Sequence, residues 1–194
     1  MPDYRLAPEH PFPAAVDDSL AVYRALLKSV SSTRIAIAGD SAGGGLTAAL
    51  LLAARDAGLA MPAAGICISP WTDMTSAGAS YNERASVDPL VTMTGLSRYR
   101  DAYLREVDRK TAYASPAHAD LKGLPPLLIQ VGGDEILLDD ARLLADRARA
   151  AKVETRLEVW PGMIHVWHWY FPMLDEGERA NAAIAQFMRD HLAS

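Results

Sequence analysis

The chain has 194 residues, of which 50% are hydrophobic and 22% charged, with a mean hydropathy of +0.01. This length accommodates one globular domain with a sizeable core, and the composition excludes disorder as a global state. Its 19 Lys and Arg residues against 24 Asp and Glu leave a net charge of -5 without a basic stripe, which argues against nucleic acid as a partner.

Taken in chain order, short apolar or alternating runs bounded by Pro or Gly predict strands at residues 34–38, 63–69, 125–131 and 155–160. Helical spacing and composition predict helices at residues 17–30, 42–57, 96–107, 142–151 and 178–192. Asp17, Asp18 and Ser19 are the expected start signals of the first helix. Strands that alternate with helices predict an α/β fold, a mostly parallel sheet flanked by helices on both faces.

The predicted organisation is a single domain over residues 1–194. Residues 72–123 hold several Pro, Gly and polar residues around one predicted helix. No low-complexity linker flanks this segment, so we expect an irregular, partly helical excursion within the domain.

The turn between the first strand and the following helix reads Gly39-Asp40-Ser41-Ala42-Gly43, the G-x-S-x-G pattern of a nucleophile elbow. Such a turn strains the serine, and we expect side chains at the flanking glycine positions to collide with the neighbouring strand and helix. Ser41 is therefore the predicted nucleophile, and the Ala42 N–H is a predicted oxyanion donor. A glycine-rich phosphate loop or an ordinary turn is the competing interpretation.

Two later loops supply the other groups that a serine hydrolase needs. Asp134 and Glu135 follow the third strand, and His165 follows the fourth, in the chain order Ser, acid, His. His165 is the predicted general base, with a packed histidine as the alternative.

We expect His168 to be a pocket or packing residue, because no further ligand cluster supports a metal site. Trp71, Val166 and Trp167 are predicted to line the substrate pocket, or else simply to pack.

Three segments together resemble the hormone-sensitive-lipase family, the bacterial family IV carboxylesterases of the α/β-hydrolase fold. They are the Tyr-Arg-Leu-Ala-Pro-Glu-His-Pro segment at residues 4–11, the Gly-Asp-Ser-Ala-Gly-Gly elbow at 39–44, and the Gly-Met-Ile-His loop at 162–165. The resemblance implies hydrolysis of short-acyl carboxylic esters through an acyl-enzyme, with a small-molecule ester as substrate and no cofactor. Set against the family's acid loop, Leu137, Asp139 and Asp140 place Glu135 on the catalytic position, with Asp134 as the alternative acid. We expect Asp139 and Asp140 themselves to cap the next helix.

The chain begins at the first of these segments, whereas the family carries a His-Gly-Gly-Gly loop, strands and cap helices upstream of it. We therefore expect a missing second oxyanion donor, impaired activity and an exposed apolar edge on the strand before Ser41. One explanation is an N-terminally truncated esterase; the other is a short protein that pairs its open edge with another chain, for instance in a homodimer. The rival functions are a non-catalytic small-molecule-binding module and an inactive fragment of the same fold.

The remaining sequence features concern location and redox chemistry. The single cysteine, Cys67, excludes an intramolecular disulfide and a CxxC zinc site. The opening residues do not resemble a signal peptide, and no apolar stretch approaches the roughly 20 residues of a membrane span. These features predict a cytoplasmic protein without a membrane span.

Overall fold

The structure, a computed structural model, describes residues 2–193. Its centre is a sheet of 4 parallel strands in the order β1-β2-β3-β4, which places β1 and β4 at the edges. The strands are β1 (Ala36–Asp40), β2 (Ala64–Ile68), β3 (Leu127–Gly132) and β4 (Thr155–Trp160). The α-helices are α1 (Ala14–Leu26), α2 (Ala42–Asp56), α3 (Ser80–Glu83), α4 (Met93–Leu104), α5 (Leu138–Ala150) and α6 (Asp175–His191), with 3-10 turns at Ser32–Arg34, Pro116–His118 and Trp167–Tyr170.

Helices cover both faces of the sheet, which confirms the predicted α/β fold class. On one face, Leu127 and Ile129 of β3 pack in a core that includes Leu52 of α2 and Leu144 of α5. On the other face, Leu128 packs with Phe187 of α6. Successive residues of a strand point to opposite faces, so β3 needs apolar side chains at consecutive positions, and its residues are all buried.

The starts of four helices differ from the sequence prediction by three or four residues. Helix α4 begins at Met93 rather than at residue 96, and α6 begins at Asp175 rather than at residue 178. Helix α1 begins at Ala14 rather than at residue 17, because Pro13 accepts the first helical hydrogen bonds from the N–H groups of Val16 and Asp17. Helix α5 begins at Leu138 rather than at residue 142. Asp139 and Asp140 therefore lie in its first turn and do not cap it.

Residues 72–123 connect β2 to β3 and contain α3, α4 and the Pro116–His118 turn. Helix α4 begins at Met93, where the Thr92 side chain accepts a hydrogen bond from the Gly95 N–H at 3.1 Å. Its face toward the body buries Leu96 and Leu104, which pack with Trp71 and Ile136. The segment thus has a small apolar core of its own against the start of α5. Within residues 2–193, no helix is long and apolar enough to cross a membrane.

Candidate active site

The three chemically suited side chains follow three strands of the sheet at the same edge. Ser41 comes directly after β1, Glu135 lies three residues after the end of β3, and His165 lies five residues after the end of β4. Because these strands are parallel, their carboxyl ends meet at one edge, where α/β sheets bind ligands. The topology alone therefore places the three residues in one region.

Ser41 occupies a strained backbone position between β1 and α2. Its φ is 55°, in the left-handed region that L side chains rarely adopt. The Ser41 N–H donates to Ile68 O at 2.9 Å, and the Ser41 carbonyl accepts from the Trp71 N–H at 3.0 Å. Ile68 at the end of β2 and Trp71 beyond it thus hold the N–H and the carbonyl of Ser41, which keeps the strained turn in place.

Glycines let the backbone around Ser41 pack closely. A Cβ on Gly39 would lie 2.3 Å from Gly43 O, and one on Gly45 would lie 2.1 Å from Trp71 O. A Cβ on Gly43, by contrast, would meet nothing within 4 Å. The expected collision therefore applies to the first glycine of the pattern and not to the second.

The Ala42 N–H is available to a ligand. Ala42 is exposed and is the first residue of α2, a helix of 15 residues. The first N–H groups of a helix have no partner within it and lie at the positive end of its dipole. This donor next to Ser41 is suited to bind a developing oxyanion.

Glu135 and His165 form a buried pair. The His165 Nδ1 lies 2.7 Å from Glu135 Oε2, and the two residues are 8% and 0% exposed. The other carboxylate oxygen, Oε1, accepts hydrogen bonds from the Ser69 hydroxyl at 2.8 Å and from the Gly132 N–H. An ionised carboxylate only accepts, so Nδ1 carries the proton and the Nε2 lone pair is left free.

Asp134, the alternative acid, is held through its backbone by a residue other than His165. Its side chain is half-buried, and its N–H donates to Met163 O at 3.0 Å. Within residues 2–193, no side-chain hydrogen bond joins Asp134 to His165, and none joins Ser41 Oγ to His165. Catalytic contacts of this kind are often long before a substrate binds.

A cavity of about 560 Å³ opens beside Ser41 and Ala42. Its walls come mostly from apolar and aromatic side chains, including Trp71, Leu96 and Tyr103. Residues 4–7, α4 and residues on the N-terminal side of α4 also contribute to the lining. Arg5, also in the lining, is paired with Asp18 at 2.7 Å, so its charge is already compensated.

Of the three predicted pocket residues, Trp71 lies in the cavity wall and the other two do not. Trp167 is 0% exposed and packs against Trp160 and His168, with ring centroids 5.8 and 3.9 Å apart. Val166 is also buried. Both side chains are buried and lie outside the lining of this cavity.

His168 is a packing residue with one hydrogen bond. Its Nε2 lies 2.8 Å from Gln130 Oε1, and the amide nitrogen of Gln130 donates to Glu158 Oε2 at 2.7 Å. Burial lowers the pKa of His168 to about 4. Nothing in residues 2–193 groups three His, Cys, Asp or Glu side chains as a metal site would.

Sequence reasoning missed the roles of three buried polar residues that connect the loops of the site. Ser69 contacts Glu135, as described above. Asp140 accepts hydrogen bonds from the Thr72 and Asp73 N–H groups at 2.8 and 2.9 Å and from the Tyr81 hydroxyl. Asp88 Oδ2 accepts from the Ile136 N–H at 2.9 Å. Burial raises the pKa of Asp140 to about 7. Only the position of Ser69 at the end of a predicted strand could have drawn notice.

Comparison with known proteins identifies similar chains. A family model described as alpha/beta hydrolase fold matches residues 1–169. An acetyl-hydrolase of Streptomyces hygroscopicus is 51% identical over 187 residues, which are 96% of this chain and 62% of that protein. A crystal structure of an esterase from the bacterial hormone-sensitive lipase family superposes with a TM-score of 0.96 at 51% identity, over 98% of this chain and 65% of the other.

The esterase EstE5, in crystals soaked with p-nitrophenyl butyrate, superposes with a TM-score of 0.95 at 53% identity, over 99% of this chain and 65% of that one. The chain thus spans somewhat less than two thirds of the length of these relatives, 62% of the acetyl-hydrolase and 65% of the two solved esterases.

Proposed function

The chain belongs to the α/β-hydrolase fold family, and on that premise we propose that it hydrolyses carboxylic esters through a serine nucleophile. Its likeness to esterases of the hormone-sensitive-lipase family confirms the resemblance drawn from the sequence. One observation carries the proposal. A strained serine borders an apolar cavity at the sheet edge that also bears a buried histidine–glutamate pair at 2.7 Å.

In the proposed mechanism, Ser41 Oγ attacks the ester carbonyl while His165 Nε2 takes its proton. The Ala42 N–H binds the oxyanion of the tetrahedral intermediate. His165 then returns the proton to the departing alcohol, and water hydrolyses the acyl-enzyme by the same route in reverse. Glu135 keeps the Nδ1 proton of His165 in place and stabilises the imidazolium that forms at each step.

We assign the acid to Glu135 rather than to Asp134. The assignment is supported by the direct bond from Glu135 to His165 and by the separate partner of the Asp134 backbone. Either carboxylate would be chemically competent, so the contact with the imidazole is what favours Glu135.

The proposed substrate is a neutral ester with a short acyl chain. A cavity of about 560 Å³ with mostly apolar walls suits such a group. The pairing of Arg5 with Asp18 leaves no free cation in the lining to attract a carboxylate. EstE5 was soaked with an ester of this kind, p-nitrophenyl butyrate.

We assign the Ala42 N–H as an oxyanion donor. Loss of one such donor typically lowers kcat by about 10²–10³, so we expect this N–H to contribute a factor of that order to turnover.

Residues 72–123 are proposed to act as a cover over the cavity within one α/β-hydrolase domain spanning residues 1–194. Its α4 contributes Leu96 and Tyr99 to the cavity wall. Asp140 and Asp88 tie the segment to α5 and to the loop after β3. A homodimer through the edge of β1 and a cytoplasmic location stay predictions.

The test is hydrolysis of p-nitrophenyl acetate and butyrate by the wild-type chain and by Ser41→Ala. Ser31→Ala, on an exposed loop, is the matched control. We expect Ser41→Ala to abolish turnover while Ser31→Ala retains it. Hydrolysis unaffected by Ser41→Ala would refute the serine mechanism. Binding of an ester without turnover, equal in both chains, would instead indicate the ligand-binding module.

A further inference from the structure

The end of β2 and the residues after it, Ile68 to Trp71, contact the loops of all three proposed triad members. Ile68 O accepts from the Ser41 N–H, and the Trp71 N–H donates to Ser41 O. Between them, the Ser69 hydroxyl donates to Glu135 Oε1 at 2.8 Å and accepts from the Val166 N–H at 3.1 Å. Ser69 thus connects the acid to the residue that follows His165.

Resting on the proposed ester hydrolysis, we propose that Ser69 is a positioning residue that fixes the Glu135 carboxylate and the histidine loop relative to each other.

The direction of the Ser69 hydrogen bonds follows from proton counting. A hydroxyl has a single proton to donate. The Val166 N–H is itself a donor, so Ser69 accepts there and its proton goes to Glu135. Glu135 Oε1 then receives two donors, Ser69 and the Gly132 N–H, which leaves Oε2 directed at His165.

Without the hydroxyl, one of these two donors is lost, and rotation of the carboxylate about its last side-chain torsion is less restricted. The Val166 N–H would also lose its acceptor in a buried place, next to the imidazole that must align with Ser41. Both losses act on the orientation of His165, which enters the reaction at each proton transfer.

The backbone of Ser69 indicates that the side chain matters. Its φ is 42°, a region in which glycine is favoured, and the residue is 0% exposed. Glycine would fit this conformation without strain. A serine is nevertheless present, and its hydroxyl makes hydrogen bonds to Glu135 and Val166 that glycine cannot make.

Ser69 is fully buried and lies outside the lining of the cavity, so we expect it not to contact the substrate. A positioning role should therefore lower kcat and leave KM unchanged. A hydrogen bond to a charged group corresponds to about 10- to 100-fold in rate if it is fully needed in the transition state.

The experiment compares Ser69→Ala, Ser69→Gly and Ser80→Ala in the full chain. Ser80 is the matched control, because its buried hydroxyl also makes two hydrogen bonds, to Ile136 O and from the Asp139 N–H, and neither involves Glu135. Steady-state hydrolysis of p-nitrophenyl butyrate gives kcat and KM. Proton NMR follows the downfield resonance of the His165 Nδ1 proton that bonds to Glu135.

We expect both Ser69 variants to lower kcat by about 10- to 100-fold with KM within about twofold, and to displace the downfield resonance. Ser80→Ala should leave both readouts near those of the wild type. If Ser69→Ala fails to fold, Ser69→Gly still tests the hydroxyl, because glycine tolerates the backbone angle. Ser69 variants that match Ser80→Ala in kcat, with an unmoved resonance, would overturn the proposal. A wild-type chain that hydrolyses no ester would refute the proposed function alone, since the resonance would still report on Ser69.

Discussion

Replacing Glu135 by glutamine exchanges one carboxylate oxygen for an amide NH₂ group and leaves the shape of the side chain nearly unchanged. The surroundings decide which way the amide faces. Oε1 receives two donors, from Ser69 and Gly132, whereas Oε2 receives one, from His165. An NH₂ group in the place of Oε1 would face two other donors, so we expect the NH₂ group to take the place of Oε2 and face His165.

Nδ1 of His165 can then accept a hydrogen bond from this NH₂ group only if the ring proton is on Nε2 instead of Nδ1. In that tautomer Nε2 is a donor and no longer accepts the Ser41 proton. The equivalent change in a serine protease lowers kcat by about 10⁴ through the same tautomer, which corresponds to about 5 kcal/mol in the activation free energy. We expect a loss of this order for Glu135→Gln.

The assay is steady-state hydrolysis of p-nitrophenyl butyrate, with circular dichroism to confirm that each variant is folded. Asp134→Asn is the matched control, because it makes the same kind of exchange one residue earlier, on a half-buried side chain. It should keep kcat within about threefold, since, among the residues that the structure describes, Asp134 makes no side-chain hydrogen bond to His165, and substitutions away from such a network usually have small effects. Retention of more than a tenth of the activity by Glu135→Gln, or an equal loss in Asp134→Asn, would refute the assignment.

Three further predictions concern stability and substrate range. Burial holds the pKa of His168 at about 4 against its ordinary 6.5, so the unfolded state binds more protons between these values. The free energy of unfolding, measured by urea titration, should therefore fall by up to about 3 kcal/mol as the pH drops from 6.5 towards 4. An equally steep dependence of stability on pH in His168→Gln would contradict this. Gly132→Ala should destabilise the fold by about 1–3 kcal/mol in urea titrations, because its Cβ would lie 2.2 Å from Met163 O; an unchanged midpoint would count against the close approach. Gly95 lines the cavity, and a Cβ there would meet only Thr92 Oγ1, at 3.2 Å. Gly95→Leu should thus reduce hydrolysis of longer acyl esters relative to the acetate, and an unchanged chain-length profile would show that acyl groups bind elsewhere.

Much of the fold was predictable because its signals are local. Strand β4 occupies the predicted residues 155–160, and α2 begins at Ala42 as predicted. Helix α5 was misplaced because tertiary contacts use its first turn. Asp140 binds the N–H groups of Thr72 and Asp73 instead of capping its own helix, and sequence signals of capping do not reveal such a partner.

The same distinction applies to the site. Ser41 and His165 were selected because each lies in a short motif at the end of a predicted strand. Ser69 carries no motif, and its partners Glu135 and Val166 lie 66 and 97 residues away in the chain. Apart from Trp71, the wall of the cavity was not predicted, because residues such as Leu96 and Tyr99 reach it only through the packing of α4.

The loops with the proposed chemistry are positioned largely by backbone packed on backbone, as where Gly45 approaches Trp71 O and Gly132 approaches Met163 O. The cavity is shaped by side chains of α4 and of residues 4–7, which are not part of the proposed triad. Substitutions in the cavity wall can therefore accumulate without disturbing the reacting groups. We therefore expect the substrate range to change through substitutions in the cavity wall, while the residues that position the triad loops stay the same.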